Sequence, residues 1–222
     1  MNKGFYSSIS VLSLVAGSFF STSAAPLATT IDFEQDQPGK LTNDWTISGT
    51  NQKGPTASWS IVFDPSESSH KKYIALTKVN HDSDATFNLA WNVKTKFHNG
   101  EIEVAFKALD GRVDQGGGIV WRLQDADNYY LARFNPLEDN FRIYTVINGQ
   151  RKVLASERAT LDKDKWHTLT VRHNEDKIVG LLNGRKLLDL TNASIKESGS
   201  VGVWTKADAR TAFDDLRINP LP

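Results

Sequence analysis

Short stretches in which apolar and polar residues alternate recur along almost the whole chain, separated by Asn-Gly, Asp-Gly, Asn-Asp and Ser-Gly pairs. About fourteen such stretches can be marked, the first at 30–33 and the last at 212–218, and helical periodicity is nearly missing. A period of two sends successive side chains to opposite faces of a strand, so each apolar face must be buried against another sheet. Asn99-Gly100, Asp110-Gly111, Asn148-Gly149 and Asn183-Gly184 supply the left-handed conformations that tight hairpins need. Many short antiparallel strands joined in this way predict an all-β fold, two antiparallel sheets packed as a jelly-roll sandwich.

The N-terminal residues point to export. Lys3, the apolar run 9–20 and the small residues Ser21 to Ala25 form a secretory signal over residues 1–24. Pro26 obstructs a cut directly before it, which places cleavage after Ala24. The apolar run is shorter than the roughly 18 residues a membrane span requires. Residues 25–222 then form a single domain, since no proline- or serine-rich linker divides them. The expected destination is the periplasm or beyond, and a monomer is expected there. With no cysteine in the chain, disulfides, thiol catalysis and thiolate metal sites are excluded, and the core alone must hold the fold. Lys plus Arg equals Asp plus Glu at 26 each, so no bulk positive field exists to attract nucleic acid.

The stretch 116–144, GGGIVWRLQDADNYYLARFNPLEDNFRIY, carries the most chemistry. It reads as three strands joined by two polar turns. A turn over 125–128 would place Leu123 opposite Tyr130, Trp121 opposite Ala132 and Ile119 opposite Phe134. A second turn over 135–140 would set Phe134 opposite Phe141 and Ala132 opposite Ile143. The core face is then Ile119, Trp121, Leu123, Tyr130, Ala132, Phe134, Phe141 and Ile143. The opposite face carries Arg122, Tyr129, Arg133, Arg142 and Tyr144, with no acid interleaved on the same strands. Guanidinium groups beside phenol rings suit a sugar: the rings stack on pyranose faces and the guanidiniums donate to hydroxyls or bidentately to a uronate or sulfate. Gln124 is of a type that polysaccharide-binding clefts use, and Asn135 is the member of the second turn placed to face the cleft. In 201–206 the alternation turns Val201 and Val203 inwards and Gly202, Trp204 and Lys206 outwards, so an indole stands beside a glycine that clears space for a ligand.

Three strings bear a family resemblance: WR followed by D-x-x-N-Y-Y from Trp121, R-x-N-x-L-E-D-N from Arg133, and W-T-K-A-D from Trp204 to Asp208. With the W-H-x-L-x-V and N-G-R pieces around Trp166 and Asn183, the chain resembles exported bacterial concanavalin A-like (laminin-G-like) domains related to the 3-keto-disaccharide hydrolase-like family. The resemblance covers roughly residues 31–218. It implies a sandwich of concanavalin A-like lectin/glucanase type whose concave sheet handles carbohydrate, and it adds Asp208 to Trp204 and Lys206 as site residues.

Catalysis is the rival expectation. Glycoside hydrolysis ordinarily needs two carboxylates about 5 to 9.5 Å apart, and the nearest string, Glu101 and Glu103 on one strand, lacks the third acid of the sandwich hydrolases and reads better as an outward strand face. The strings of the sandwich polysaccharide lyases are absent. Elimination from a 3-keto sugar needs a single base, for which Asp125, Glu138 or Asp208 would serve. A laminin-G-like protein-binding module is a further alternative. No catalytic set and no cofactor are assigned. A structural Ca²⁺ held by Asp32 with Asp214 or Asp215 is weighed against solvated strand-end acids, and the acids are favoured.

Overall fold

The structure, a computed structural model, describes Met1, residues 27–79 and residues 82–221. Residues 2–24 of the expected export signal, and His81, lie outside the described residues. Fifteen strands follow one another: β1 (Thr29–Ile31), β2 (Trp45–Thr50), β3 (Ser58–Phe63), β4 (Lys72–Lys78), β5 (Phe87–Phe97), β6 (Gly100–Asp110), β7 (Gly117–Asp125), β8 (Asn128–Asn135), β9 (Asn140–Ile147), β10 (Gln150–Arg158), β11 (His167–Asn174), β12 (Lys177–Leu182), β13 (Arg185–Thr191), β14 (Gly199–Lys206) and β15 (Arg210–Pro220). No helix occurs among the described residues, so none is long and apolar enough to cross a membrane.

The strands form two antiparallel sheets. One runs β13-β12-β11-β6-β15-β4-β3, with β1 added against β15; the other runs β10-β9-β8-β7-β14-β5-β2. The fold is the all-β jelly-roll sandwich that the alternation predicts. Its core lies between the sheets. Trp59, Ile74, Ile102, Val104, Phe106, Val171 and Phe213 enter from the first, and Ile119, Trp121, Tyr130, Phe134, Phe141, Ile143 and Val203 from the second. Each such large side chain contributes about 1.5–3 kcal/mol by leaving water. The one strand the alternation does not mark is β2, whose WTISGT sequence is short, half-buried and interrupted by Gly49.

Register follows expectation in the second hairpin, where Phe134 faces Phe141 and Ala132 faces Ile143. In the first it differs by two residues: Trp121 faces Tyr130 and Ile119 faces Ala132. A shift of two preserves the faces, so seven of the eight expected core residues do enter the core. Leu123 does not; it packs with Val120 and Tyr129 on the other side of the sheet. The cause is a bulge. Arg122 has φ of 45°, and the ladder breaks from Trp121 until Asp125 pairs with Asn128. A left-handed residue in a strand reverses the alternation beyond it, so Arg122 and Leu123 exchange sides.

Candidate functional site

The second sheet curls on itself. Arg151 of β10 lies with its guanidinium carbon 4.7 Å from the Phe87 ring of β5 and 5.8 Å from the Trp204 ring of β14. Those strands stand five and four positions away in the sheet, about 24 and 19 Å if it were flat. No arginine side chain spans such a distance. Asn51, just after the opposite edge strand β2, likewise donates to the Gly149 carbonyl in the β9–β10 turn, 3.1 Å away. The outward face of this sheet is therefore the inside of a trough, filled by the packed side chains of Phe87, Leu89, Val120, Leu123, Tyr129, Leu131, Tyr144, Val146 and Trp204.

Around Tyr144 sit three guanidiniums. Arg133 and Arg142 are direct cross-strand partners, and Arg133 and Arg151 lie 5.7 and 4.7 Å from the Tyr144 ring. Like charges facing each other destabilise a sheet. Here Glu138, from the β8–β9 turn, intervenes: its Oε2 accepts from Arg133 Nη2 at 3.0 Å, from Arg142 Nη1 at 3.2 Å and from Asn140 Nδ2 at 2.9 Å. Burial works to raise the Glu138 carboxyl, but the hydrogen bonds from Asn140 and Arg133 and the two guanidinium charges outweigh it and bring it down to about 2. The acid that the strands lack is thus supplied by their turn, so the turn is more than hairpin chemistry.

The expected site residues divide accordingly. Tyr129, Arg133, Asn135, Arg142, Tyr144, Trp204 and Lys206 share the trough face, but most of it is not the solvated surface their chemistry suggests. Arg133 and Tyr144 are 1% exposed and Trp204 is 0% exposed, because the curl folds neighbouring strands over them. The Tyr129 hydroxyl pairs with Thr50 Oγ1 at 2.8 Å, and burial pushes its phenol well above the usual range. Asn135 Nδ2 donates to Asp114 Oδ1 at 3.0 Å, and Lys206 Nζ stands 3.5 Å from the other Asp114 oxygen. Arg122 is a correction. Its side chain leaves the trough for the end of the sandwich, where it donates to the carbonyls of His98, Ile195 and Glu175 and to Asn99 Oδ1. Gln124 donates to the Arg122 and Ser198 carbonyls at that same end, so it too is a tether rather than a trough residue.

Asp208 organises a loop. Its carboxylate accepts the backbone N–H groups of Arg112, Val113 and Asp114 at 2.8–3.1 Å, which sets Asp114 against Asn135 and Lys206. Replacing Asp208 by alanine leaves three amides without that acceptor. We expect a loss of about 1–3 kcal/mol, read from urea denaturation, with hydrogen exchange accelerated first at 112–114.

Arg151 and Asp114 are the site members that strand alternation alone does not select. Arg151 is legible from the turn: Asn148 and Gly149 have φ of 49° and 73°, the two-residue hairpin conformation. That turn pairs Arg151 with Val146, on the same face as Tyr144.

The other chemical candidates lie elsewhere. Glu101 and Glu103 are on the outer side of the first sheet, paired with Arg172 at 2.6 Å and Arg217 at 3.0 Å. Asp214 and Asp215 do come together, but with His70 rather than Asp32. The Asp32 carboxylate accepts the Glu34 amide instead. A histidine nitrogen and two carboxylates, one bound to His70 at 2.8 Å and the other to Arg217 at 3.2 Å, fit calcium poorly, since that ion takes about six to eight oxygens.

Among solved structures, the chain is similar to the carbohydrate-binding module CBM66 from Bacillus subtilis, with 21% identity, a TM-score of 0.58, and coverage of 79% of this chain and 96% of that one. It is similar to the exoplasmic/lumenal domain of VIP36 in a Ca²⁺/Man3GlcNAc-bound form, at 14% identity and TM-score 0.56, covering 90% and 91%. It is also similar to a protein described as a native glycosidic hydrolase, at 11% identity and TM-score 0.55, covering 88% and 97%. These likenesses establish the sandwich fold. No curated protein sequence matches the chain. The model of the galactocerebrosidase C-terminal lectin domain matches residues 69–221, which include β5 to β10 and β14 and hence nearly all of the trough: the chain belongs to that lectin-domain family.

Proposed function

We propose that this is an exported carbohydrate-binding domain and that its ligand lies in the trough of the second sheet. The observation that carries the reading is a set of buried polar atoms there without hydrogen-bond partners: Arg133 Nε and Arg151 Nη1, with Gln115 Oε1 on the adjoining loop. A buried unpaired polar group costs about 1–3 kcal/mol, and folded proteins leave few of them unless something else satisfies them. Sugar hydroxyls both donate and accept. Membership of a lectin-domain family supports the same conclusion. The finer relationship to 3-keto-disaccharide hydrolase-like domains would require a base in the trough; Glu138, held down at about 2 by its arginines, is a weak base for that task.

The test is isothermal titration against glycans selected on an array. Tyr144→Phe deletes a buried hydroxyl beside the Arg142 guanidinium, so it should lower the melting temperature only slightly while weakening binding about two- to tenfold, the worth of a neutral hydrogen bond. Arg142→Ala, at the open rim of the trough, should cost roughly ten- to a hundredfold. Glu101→Gln and Glu103→Gln should bind like the parent. Binding that responds to the Glu101 and Glu103 changes and ignores Tyr144 and Arg142 would move the site to the other sheet.

A further inference from the structure

Resting on the trough face as the ligand side, we infer that a neutral sugar is taken in the open cleft at its rim, where Glu138, Asp139, Arg142, Ser156 and Arg158 meet the hydroxyls of one ring. The cleft has a volume of about 400 Å³, inside the range of roughly 300–1,000 Å³ typical of small-molecule sites. Its walls come from the β8–β9 turn and from β9 and β10. On β10 a bulge between Val153 and Ala155 resets the register, so that Ser156 faces Arg142 and Arg158 faces Asn140. Cross-strand partners share a face, which puts Ser156 and Arg158 on the trough side beside Arg142. The turn is pinned to the far end of β10 by the Ala159 amide, which donates to the Asp139 carbonyl at 3.0 Å.

Unlike the packed interior of the trough, this rim is open. Glu138, Ser156 and Arg158 are exposed, Asp139 and Arg142 are half-buried, and Leu137 gives the cleft an apolar edge. Its polar groups have bonding capacity left. Arg142 uses Nε on Ser156 and Nη1 on Glu138, which leaves its Nη2 donors. Ser156 accepts that bond and keeps its own proton to donate. The three donors on Glu138 all reach Oε2, so Oε1 is an acceptor in reserve. Among the described residues no side chain pairs with those of Asp139 and Arg158.

The balance of these groups decides the ligand class. Carboxylates only accept and guanidiniums only donate, while each sugar hydroxyl does both. Adjacent hydroxyls therefore saturate the array: their protons go to Glu138 and Asp139, and their oxygens take the Arg142, Arg158 and Ser156 donors. Bonds of this kind, with one partner ionised, are the stronger ones. The two guanidiniums lining the cleft are matched by two carboxylates, so no charge is missing there for an anion to supply. A uronate or sulfate would meet Asp139 and the spare Glu138 oxygen, a like-charge approach that disfavours it.

The full chain is titrated by calorimetry with neutral galactan, glucan and mannan oligosaccharides and with a galacturonan oligosaccharide of matched length. At least one neutral probe should bind tenfold or more tightly than the galacturonan. In nuclear magnetic resonance spectra that probe should shift the amides of 137–142 and 156–158 first. Asp139→Asn keeps a residue that tolerates the φ of 48° at that turn position, and Arg158→Ala removes an exposed side chain. Each should weaken binding about ten- to a hundredfold with the melting temperature unchanged. Neutral binding that is weakened in Tyr144→Phe but indifferent to both of these changes overturns the cleft and leaves the trough as the site. Galacturonan binding within tenfold of the best neutral probe, or above it, overturns the neutral class. Failure of every probe to bind overturns the cleft and the trough together.

Discussion

Replacing Arg122 by alanine is expected to destabilise the fold by about 3 kcal/mol and to leave ligand affinity in the folded fraction unchanged. The guanidinium is 1% exposed and binds four acceptors that belong to three separate connections: the β5–β6 turn at His98 and Asn99, the β11–β12 turn at Glu175, and the segment before β14 at Ile195. Each hydrogen bond to a charged donor contributes about 1.5–3 kcal/mol. Against that stands the cost of keeping the charge out of water, visible in the downward shift of the Arg122 guanidinium, whose main cause is burial. Removing the side chain recovers this cost but strands the acceptors and opens a cavity, so the net is smaller than the sum of the bonds. For a chain of 222 residues, about 3 kcal/mol lowers the melting temperature by roughly 6–12 °C. Arg122→Lys should recover little, because one ammonium cannot reach acceptors arranged around a planar fork. A melting temperature within a degree or two of the parent, together with lost binding, would return Arg122 to the ligand site.

That residue also marks the limit of what alternation reveals. Period two places Tyr129, Arg133, Arg142 and Tyr144 on one face and Trp121, Tyr130 and Phe134 on the other, and the sheet has them so. Alternation holds only while the strand is regular. A non-glycine residue at φ of 45° leaves no mark in composition, since nothing in Trp-Arg-Leu-Gln distinguishes a bulge from a straight strand. Burial of the trough was likewise hidden, because sheet curl depends on how β10 and the segment after β2 meet across five intervening strands. The Asn148-Gly149 turn is the opposite case: local chemistry sets the register, and the register carries Arg151 to the trough face.

Acid should destabilise the protein through one histidine. His173 is 0% exposed; its Nδ1 accepts the Trp121 indole N–H at 2.9 Å, and its ring stands edge-on to Tyr130 at 5.3 Å between centroids. Burial first, and then the Arg122 charge nearby, push its pKa down to about 3. The ring is therefore neutral in the folded chain, whereas the unfolded chain takes up a proton near pH 6.5. With the folded pKa depressed, the stabilising contribution is complete above about pH 6.5 and is lost as pH falls towards 3, at up to about 1.4 kcal/mol per pH unit. By pH 4 the loss is on the order of 3 kcal/mol, a large part of the roughly 5–15 kcal/mol that holds a typical domain. Asp214 works the other way. Burial raises its carboxyl to about 6 in spite of the His70 hydrogen bond, so its contribution is present below about pH 4 and is lost as pH rises through 6. Difference measurements separate the two. His173→Gln keeps an acceptor for the indole and removes the titration; it should be less stable than the parent at pH 7, with the gap narrowing by about 3 kcal/mol on going to pH 4. Asp214→Asn should change the balance in the opposite sense over pH 4–6. Urea midpoints at half-unit intervals read both, and a His173→Gln gap that stays constant from pH 7 to pH 4 would mean that His173 is not held neutral by the fold.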